Sequence, residues 1–281
     1  MNIIMTVAPR PSTTVSFENG REYISKPCVE LRRAGGRGKT SGIRGRPRRQ
    51  RLPIVRLQRL SLVDYPGRLC AKAIIPGCNF RCPYCTNVNL IHNYLGMELL
   101  FEREVLDHLY RVKGYLTGLC LGGGEPTLHN GLLSFMYKVK SLGYLLKVDT
   151  NGTRPKRLRK LMEERVVDYV SLDLKAPLER YPEVVRYKVN LEAVEQSIRL
   201  LRRGGVDHEF RTTVVPGLIG GKDLEELAQL LVGSKRFVIQ RFVPGRTMCP
   251  EYEDVQPYSL NELRGFRDRI APYFAECKIK L

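Results

Sequence analysis

The sequence predicts an α/β fold with a parallel sheet. Two observations predict it: from Val55 onward six β-branched apolar runs alternate with six helix-period segments, and the polar residues that stand out fall at or just after the ends of those runs. A third feature, a basic and Gly-rich stretch over residues 1–53, lies outside the pattern and predicts a disordered N-terminal arm ahead of a single domain, 54–281.

The strands are expected at Ala71–Pro76, Gly118–Leu121, Leu145–Val148, Val166–Leu172, Glu209–Val215 and Phe237–Phe242. Helices are expected over about 99–113, 130–142, 155–164, 190–203, 222–232 and 259–271, the last opening with a Ser259–Glu262 capping box. Repeated β-then-α units imply right-handed crossovers. In such sheets chemistry gathers at the C-terminal ends of the strands.

Net charge is +18, and residues 1–51 hold 12 Lys/Arg against 3 Asp/Glu, half of the surplus. Such an excess suits an acidic partner, a membrane surface or nucleic acid, the last through the arm alone, and charge by itself does not choose among them. The alternatives for the arm are a solvated tail or a start site placed too far upstream. Gly38-Lys39-Thr40 is rejected as a phosphate loop because Arg33 stands where the motif needs Gly. No apolar run reaches membrane-spanning length, and the opening residues carry no secretory leader. Of eight cysteines, three cluster at ligand spacing. Cys28, Cys70, Cys120, Cys249 and Cys277 are scattered singly, which suggests a reducing cytoplasm and not a disulfide framework. Cys70 and Cys120, in strand-like runs, read as buried small hydrophobes.

The first chemical motif is Cys78-Asn-Phe-Arg-Cys82-Pro-Tyr-Cys85, in the loop after the first predicted strand. Three thiolates fill three corners of a cubane [4Fe-4S] cluster and leave one iron open to a small molecule. The alternative is a structural zinc site in a non-catalytic zinc- and nucleic-acid-binding protein, but no second CxxC exists to complete it. Phe80 and Tyr84 would shield the cluster and pack against a bound base, while Arg81 reads as a solvated neighbour. The second motif, Gly122-Gly123-Gly124-Glu125-Pro126, follows the second strand. Its glycines allow close backbone approach, and Glu125 can accept from an ammonium group. The four histidines, His92, His108, His129 and His208, are assigned no role.

Together the two motifs resemble the radical S-adenosylmethionine enzymes. Further segments narrow the resemblance: Ser61–Gly67, Cys85-Thr86-Asn87, Asp149-Thr150-Asn151-Gly152, Asp173-Leu174-Lys175, Arg211–Gly217 and Gln240-Arg241-Phe242. Residues 55–281 look like a glycyl-radical-enzyme activase, most closely the type that activates anaerobic ribonucleoside-triphosphate reductase. The resemblance implies a partial (β/α)6 barrel of the TIM type and a [4Fe-4S] cluster on Cys78, Cys82 and Cys85. It also implies reductive cleavage of S-adenosylmethionine to make a glycyl radical on a partner enzyme, with a flavodoxin or ferredoxin as electron donor. The alternatives within the class are a pyruvate formate-lyase type of partner, RNA or a small molecule.

By position the resemblance gives Gly123, Gly124 and Glu125 the cofactor's amino group, and places Asn87 near its carboxylate. Asp149 would face that carboxylate through a monovalent cation, since two bare anions repel. Asp173 and Lys175 would bond the amino-acid portion or ribose, and Arg211 would pair with an anionic group. Tyr84 and Asn151 complete the expected cofactor-binding set. One departure is Thr86, where such activases often carry His. Between Cys85 and Glu125 only Cys120 occurs, so extra ferredoxin-like clusters are not expected.

Overall fold

The computed structural model describes residues 51–92 and 96–281, together with the backbones of two short strands, β1 (Thr14–Glu18) and β2 (Arg21–Ser25). These two pair antiparallel within the stretch read as a disordered arm. The rest of residues 1–50, including Gly38–Thr40 and Cys28, lies outside the described residues.

All six expected strands are present: β4 (Cys70–Ile75), β5 (Gly118–Gly123), β6 (Leu145–Thr150), β7 (Tyr169–Asp173), β8 (Asp207–Val214) and β9 (Arg236–Arg241). Two edge strands join them, β3 (Arg56–Ser61) and β10 (Glu276–Lys280), giving one sheet in the order β10-β9-β8-β7-β6-β5-β4-β3. Pairing is parallel throughout except that β3 runs antiparallel to β4. The two edges do not pair with each other, so the barrel is partial and open along one side.

Helices α2 (Glu102–Arg111), α3 (Leu132–Ser141), α4 (Pro155–Glu163), α6 (Leu191–Arg202), α7 (Gly221–Leu230) and α8 (Leu260–Ile270) cover the outer face. Two short helices were not anticipated, α1 (Val88–His92) and α5 (Tyr181–Val185), because five residues are too few to show a helical period. The expected capping box opens α8, with Ser259 Oγ accepting from the Glu262 N–H.

Alternation along the strands sorts residues into two environments. One parity, including Ala71, Leu119, Leu121, Leu146, Val148, Val170, Leu172 and Phe210, forms the main core with helix residues such as Val105, Leu109, Phe135, Leu161 and Ile198. The other parity points into the barrel and is largely polar: Lys72, Lys147, Asp149, Ser171, Asp173, Glu209, Arg211, Thr213 and Gln240. A small cluster of Tyr65, Cys70, Cys120 and Tyr169 fills the interior among these strands, so both cysteines are buried as expected. Leu52, which the sequence reading left in the arm, is 2% exposed, and its N–H donates to Glu102 Oε1 at 2.7 Å. Packing therefore begins before residue 54. Cys249 is disulfide-bonded, against the expectation of unpaired single cysteines. Among the described residues no helix is long and apolar enough to cross a membrane.

Candidate active site

A cavity of about 450 Å³ opens at the C-terminal ends of the parallel strands. All three predicted ligand cysteines line it, as do Tyr84, Asn87, Gly123, Gly124, Glu125, Asp149, Asn151, Asp173, Lys175 and Arg211. Residues spread over more than 130 positions thus converge because each sits at, or just past, the end of its own strand.

The loop carrying the cysteines is held from several sides. Gly124 N–H donates to Ile75 O (2.8 Å) and Glu125 N–H to Gly77 O (2.7 Å), clamping the end of β5 to the exit of β4. A Cβ on Gly124 would stand 2.1 Å from Gly77 O, and Gly123 has φ +107°, so only glycines permit this approach. The close approach is to the loop that launches Cys78 as well as to the cavity. Asn87 Nδ2 donates to Gly123 O (3.1 Å), and Asn151 Nδ2 donates to Asn79 Oδ1 (2.9 Å). Farther along, Arg81 N–H donates to Val185 O, Met248 N–H to Cys85 O and Cys249 N–H to Pro83 O. Arg81 is not merely solvated: its guanidinium donates to Cys78 O (2.9 Å) and Phe80 O (2.8 Å) and lies over the Tyr187 ring.

Burial pushes the Cys78 thiol up to about 11 and Cys82 to about 12, and raises Cys85 as well; Lys175 opposes the rise at all three. Left to themselves these thiols are neutral at pH 7. A bound metal supplies the charge that makes them thiolates. The donor set fits a cubane cluster. Three sulfurs face one cavity, no histidine or fourth cysteine lines it among the described residues, and the buried Tyr84 hydroxyl has no protein partner. A closed four-ligand zinc site lacks its fourth Cys or His here.

Glu125 already has partners within the protein. Its Oε1 accepts from Thr127 N–H (3.0 Å), the Thr127 hydroxyl and Thr150 Oγ1 (2.8 Å), and its Oε2 accepts from Asn151 N–H (2.6 Å). The carboxylate is 1% exposed and serves first to lock the ends of β5 and β6 together. Burial raises its pKa, and these hydrogen bonds oppose the rise.

The floor of the cavity is a chain of alternating charges. Arg211 donates to both oxygens of Asp173 (Nε 2.5 Å, Nη2 3.0 Å) and reaches Asp149 at 3.7 Å. Lys175 lies 3.6 Å from Asp173. Asp149 also pairs with the buried Lys147 and, at 3.9 Å, with Lys72, which bonds Asp64 at 2.5 Å. Burial alone would raise both aspartates, but Lys147, Arg211 and Lys72 hold Asp149 low, and Arg211 and Lys175 do the same for Asp173. Three cations of the protein, Lys147, Arg211 and Lys72, thus face Asp149. The sequence reading missed Lys72 and Lys147. Their signal was a single lysine inside each apolar strand, CAKAII and LLKVDT.

The Radical SAM superfamily model matches residues 73–231. A Methanocaldococcus jannaschii protein with the provisional name of glycyl-radical enzyme activating enzyme is 30% identical over 211 residues, 73% of this chain and 86% of its own. A probable GTP 3',8-cyclase of Thermococcus kodakarensis is 28% identical over 54% of this chain and 50% of its own. The crystal structure of Streptococcus suis SuiB bound to S-adenosylmethionine superposes with a TM-score of 0.56 at 14% identity, covering 72% of this chain and 48% of that one, a likeness of fold. The family match spans the three cysteines, the Gly-Gly-Glu turn and the charged strand ends through Arg211, so the cofactors of the site are a [4Fe-4S] cluster and S-adenosylmethionine, and the chain belongs to the radical S-adenosylmethionine superfamily.

Proposed function

We propose that this enzyme is a glycyl-radical-enzyme activase and that its partner is an anaerobic ribonucleoside-triphosphate reductase. The observation that carries the reading is the open side of the barrel. Edge strands β3 and β10 do not pair, and Arg56 and Gln58 on one edge and Lys280 on the other all line the same cavity. A glycine within a folded partner can enter only as part of a loop, and a side opening admits a loop where a closed barrel would not. The 30%-identical relative supports the same reading by its name.

In this reading Cys78, Cys82 and Cys85 hold the cluster, and Asn87, Asp149, Asn151, Asp173, Lys175 and Arg211 bind and orient the cofactor from the strand ends. Held there, the cluster and S-adenosylmethionine would supply one-electron reductive cleavage of the sulfonium and the hydrogen abstraction from a glycine Cα that follows from it. The protein's own part is position and the exclusion of water. Asp173 and Asp149 stay ionised because cations flank them, and they hold Arg211 and Lys175 aimed at the cavity. Tyr84, buried and edge-on to Phe242, closes the wall beside the cysteines. The net charge of +18 suits docking of an acidic flavodoxin or ferredoxin as electron donor.

A small anionic substrate is the second reading, favoured by the cyclase relative and by the cations along the cavity. One experiment separates the two. The reconstituted protein, dithionite and S-adenosylmethionine are incubated with an anaerobic ribonucleotide reductase, a pyruvate formate-lyase relative or GTP. A glycyl doublet by electron paramagnetic resonance on the reductase, with methionine formed alongside, is expected. Consumption of GTP with no radical on either enzyme would overturn the activase reading.

A further inference from the structure

Asn79, the residue after the first ligand cysteine, belongs to a closed ring of hydrogen bonds. Asn79 Nδ2 donates to Thr153 Oγ1 (3.0 Å), the Thr153 hydroxyl donates to Asn151 Oδ1 (2.7 Å), and Asn151 Nδ2 donates back to Asn79 Oδ1 (2.9 Å). The ring ties the cysteine loop to the turn after β6. Asn79 and Thr153 are half-buried and do not line the cavity, whereas Asn151 is 5% exposed and does. Members of such a ring polarise one another, so removing one weakens the others.

The ring also fixes which way the Asn151 amide points. Asn151 Oδ1 accepts from the Thr153 backbone N–H (3.2 Å) as well as from its hydroxyl. A backbone N–H can only donate, so the oxygen of the amide faces Thr153 and the nitrogen faces the cysteine loop. One hydrogen of that nitrogen serves Asn79. The other is left for the Cys78 sulfur, 4.0 Å from Nδ2. The same sulfur accepts from the Phe80 N–H at 3.4 Å. Among the described residues no other side-chain N–H donates to a sulfur of the three ligand cysteines.

We propose that Asn79, Thr153 and Asn151 form a positioning device that presents an amide hydrogen to the Cys78 sulfur and so raises the reduction potential of the cluster held there. The inference rests on membership of the superfamily and is independent of the substrate. A cysteine that holds the cluster is a thiolate, a stronger acceptor than the neutral thiol. Reduction adds one electron, and the negative charge spread over the cluster and its sulfurs grows by one. A hydrogen bond to a ligand sulfur stabilises the more negative form more, which makes the cluster easier to reduce. Asn79 and Thr153 act through Asn151.

The test is a redox titration of the anaerobically reconstituted full-length protein without S-adenosylmethionine, followed by electron paramagnetic resonance of the reduced cluster. Thr153→Val and Asn79→Leu break the ring and leave the cysteines and Asn151 in place; Thr153→Ser keeps the hydroxyl. Both ring-breaking variants are expected to titrate at a more negative potential with wild-type iron content. At a fixed poise their ratio of reduced to oxidised cluster should be about three- to tenfold lower, the equilibrium factor of one hydrogen bond. Thr153→Ser is expected to titrate as wild type does. An unchanged or more positive potential in Thr153→Val and Asn79→Leu overturns the proposal. So does a loss of iron in both with an unshifted potential in the cluster that remains, which would make the ring a fastening of the loop and nothing more. A second measurement needs no ring-breaking variant. Wild-type protein labelled with 15N in its asparagine side chains is expected to show a 15N coupling to the reduced cluster in pulsed electron paramagnetic resonance, and Asn151→Leu to lack it. No coupling in wild type, or the same coupling in Asn151→Leu, overturns the assignment.

Discussion

At the scale of single residues, each cysteine of the loop has a role that its neighbours cannot take over. Cys78→Ala, Cys82→Ala and Cys85→Ala are each expected to lose the four-iron cluster after anaerobic reconstitution, because two thiolates do not hold a cubane. Cys277→Ala, away from the cavity, should keep full iron content; iron analysis and the absorbance of the reconstituted protein check both. The charge chain makes a pH prediction. Asp173 is depressed below the ordinary 3.8 by Arg211 and Lys175 against the opposing effect of burial. A depressed carboxylate contributes stability that is present above its unfolded value and lost as pH falls through its folded value. Wild-type stability should therefore drop as pH is taken from neutral to below 3.8, and Asp173→Asn should start lower and fall less over that window. Denaturant unfolding across pH measures this. The cysteines, Gly124, Asp149, Asp173 and Arg211 were legible in the sequence because each belongs to a motif at a strand end. Lys147 was not, since a lysine 1% exposed gains its place from its pairing with Asp149 two residues on, which the apolar strand around it does not announce. Glu125 was legible as a residue of the cavity, but its partners within the protein were not. Sequence shows a carboxylate after glycines and cannot show that Thr127, Thr150 and Asn151 already donate to it.

At the scale of elements, the turn after β5 matters for the loop it touches. Gly124→Ala would put a methyl group 2.1 Å from Gly77 O and force the β5 end away from the cysteine loop. The expected result is a barrel with unchanged far-UV circular dichroism but weaker cluster retention and weaker S-adenosylmethionine binding. The start of the packed part offers a second check. Leu52→Ala should cost about 2–4 kcal/mol, as buried large-to-small changes do. Deleting residues 1–50 should leave iron content and cofactor cleavage intact, since none of the expected site residues lies there; loss of either would mean the arm supports the site. The six central strands and six long helices could be read from periodicity. The edge strand β3 could not, because its RLQRLS sequence has few apolar positions and a mostly exposed face, and β10 reads as a charged tail until β9 is in place beside it.

At the scale of the molecule, the fold divides the labour. The central strands β4 to β8 present cysteines, glycines and paired charges inward, and the edge strands leave a side opening onto the same cavity. Parallel sheets are usually apolar on both faces. Here the inner face is charged, so packing of the barrel interior depends on ion pairs, and the helices carry most of the hydrophobic core. On the proposed activase reading, the hydrogen removed comes from the loop that enters through the opening. The measurement is isotopic. An anaerobic ribonucleotide reductase labelled with α-deuterated glycine is treated with the reconstituted enzyme, dithionite and S-adenosylmethionine, and the 5'-deoxyadenosine is analysed by mass spectrometry. The account predicts one deuterium in the 5'-deoxyadenosine and a glycyl radical on the reductase in matching amount. Methionine and 5'-deoxyadenosine formed without deuterium, and with no radical on the reductase, would contradict it.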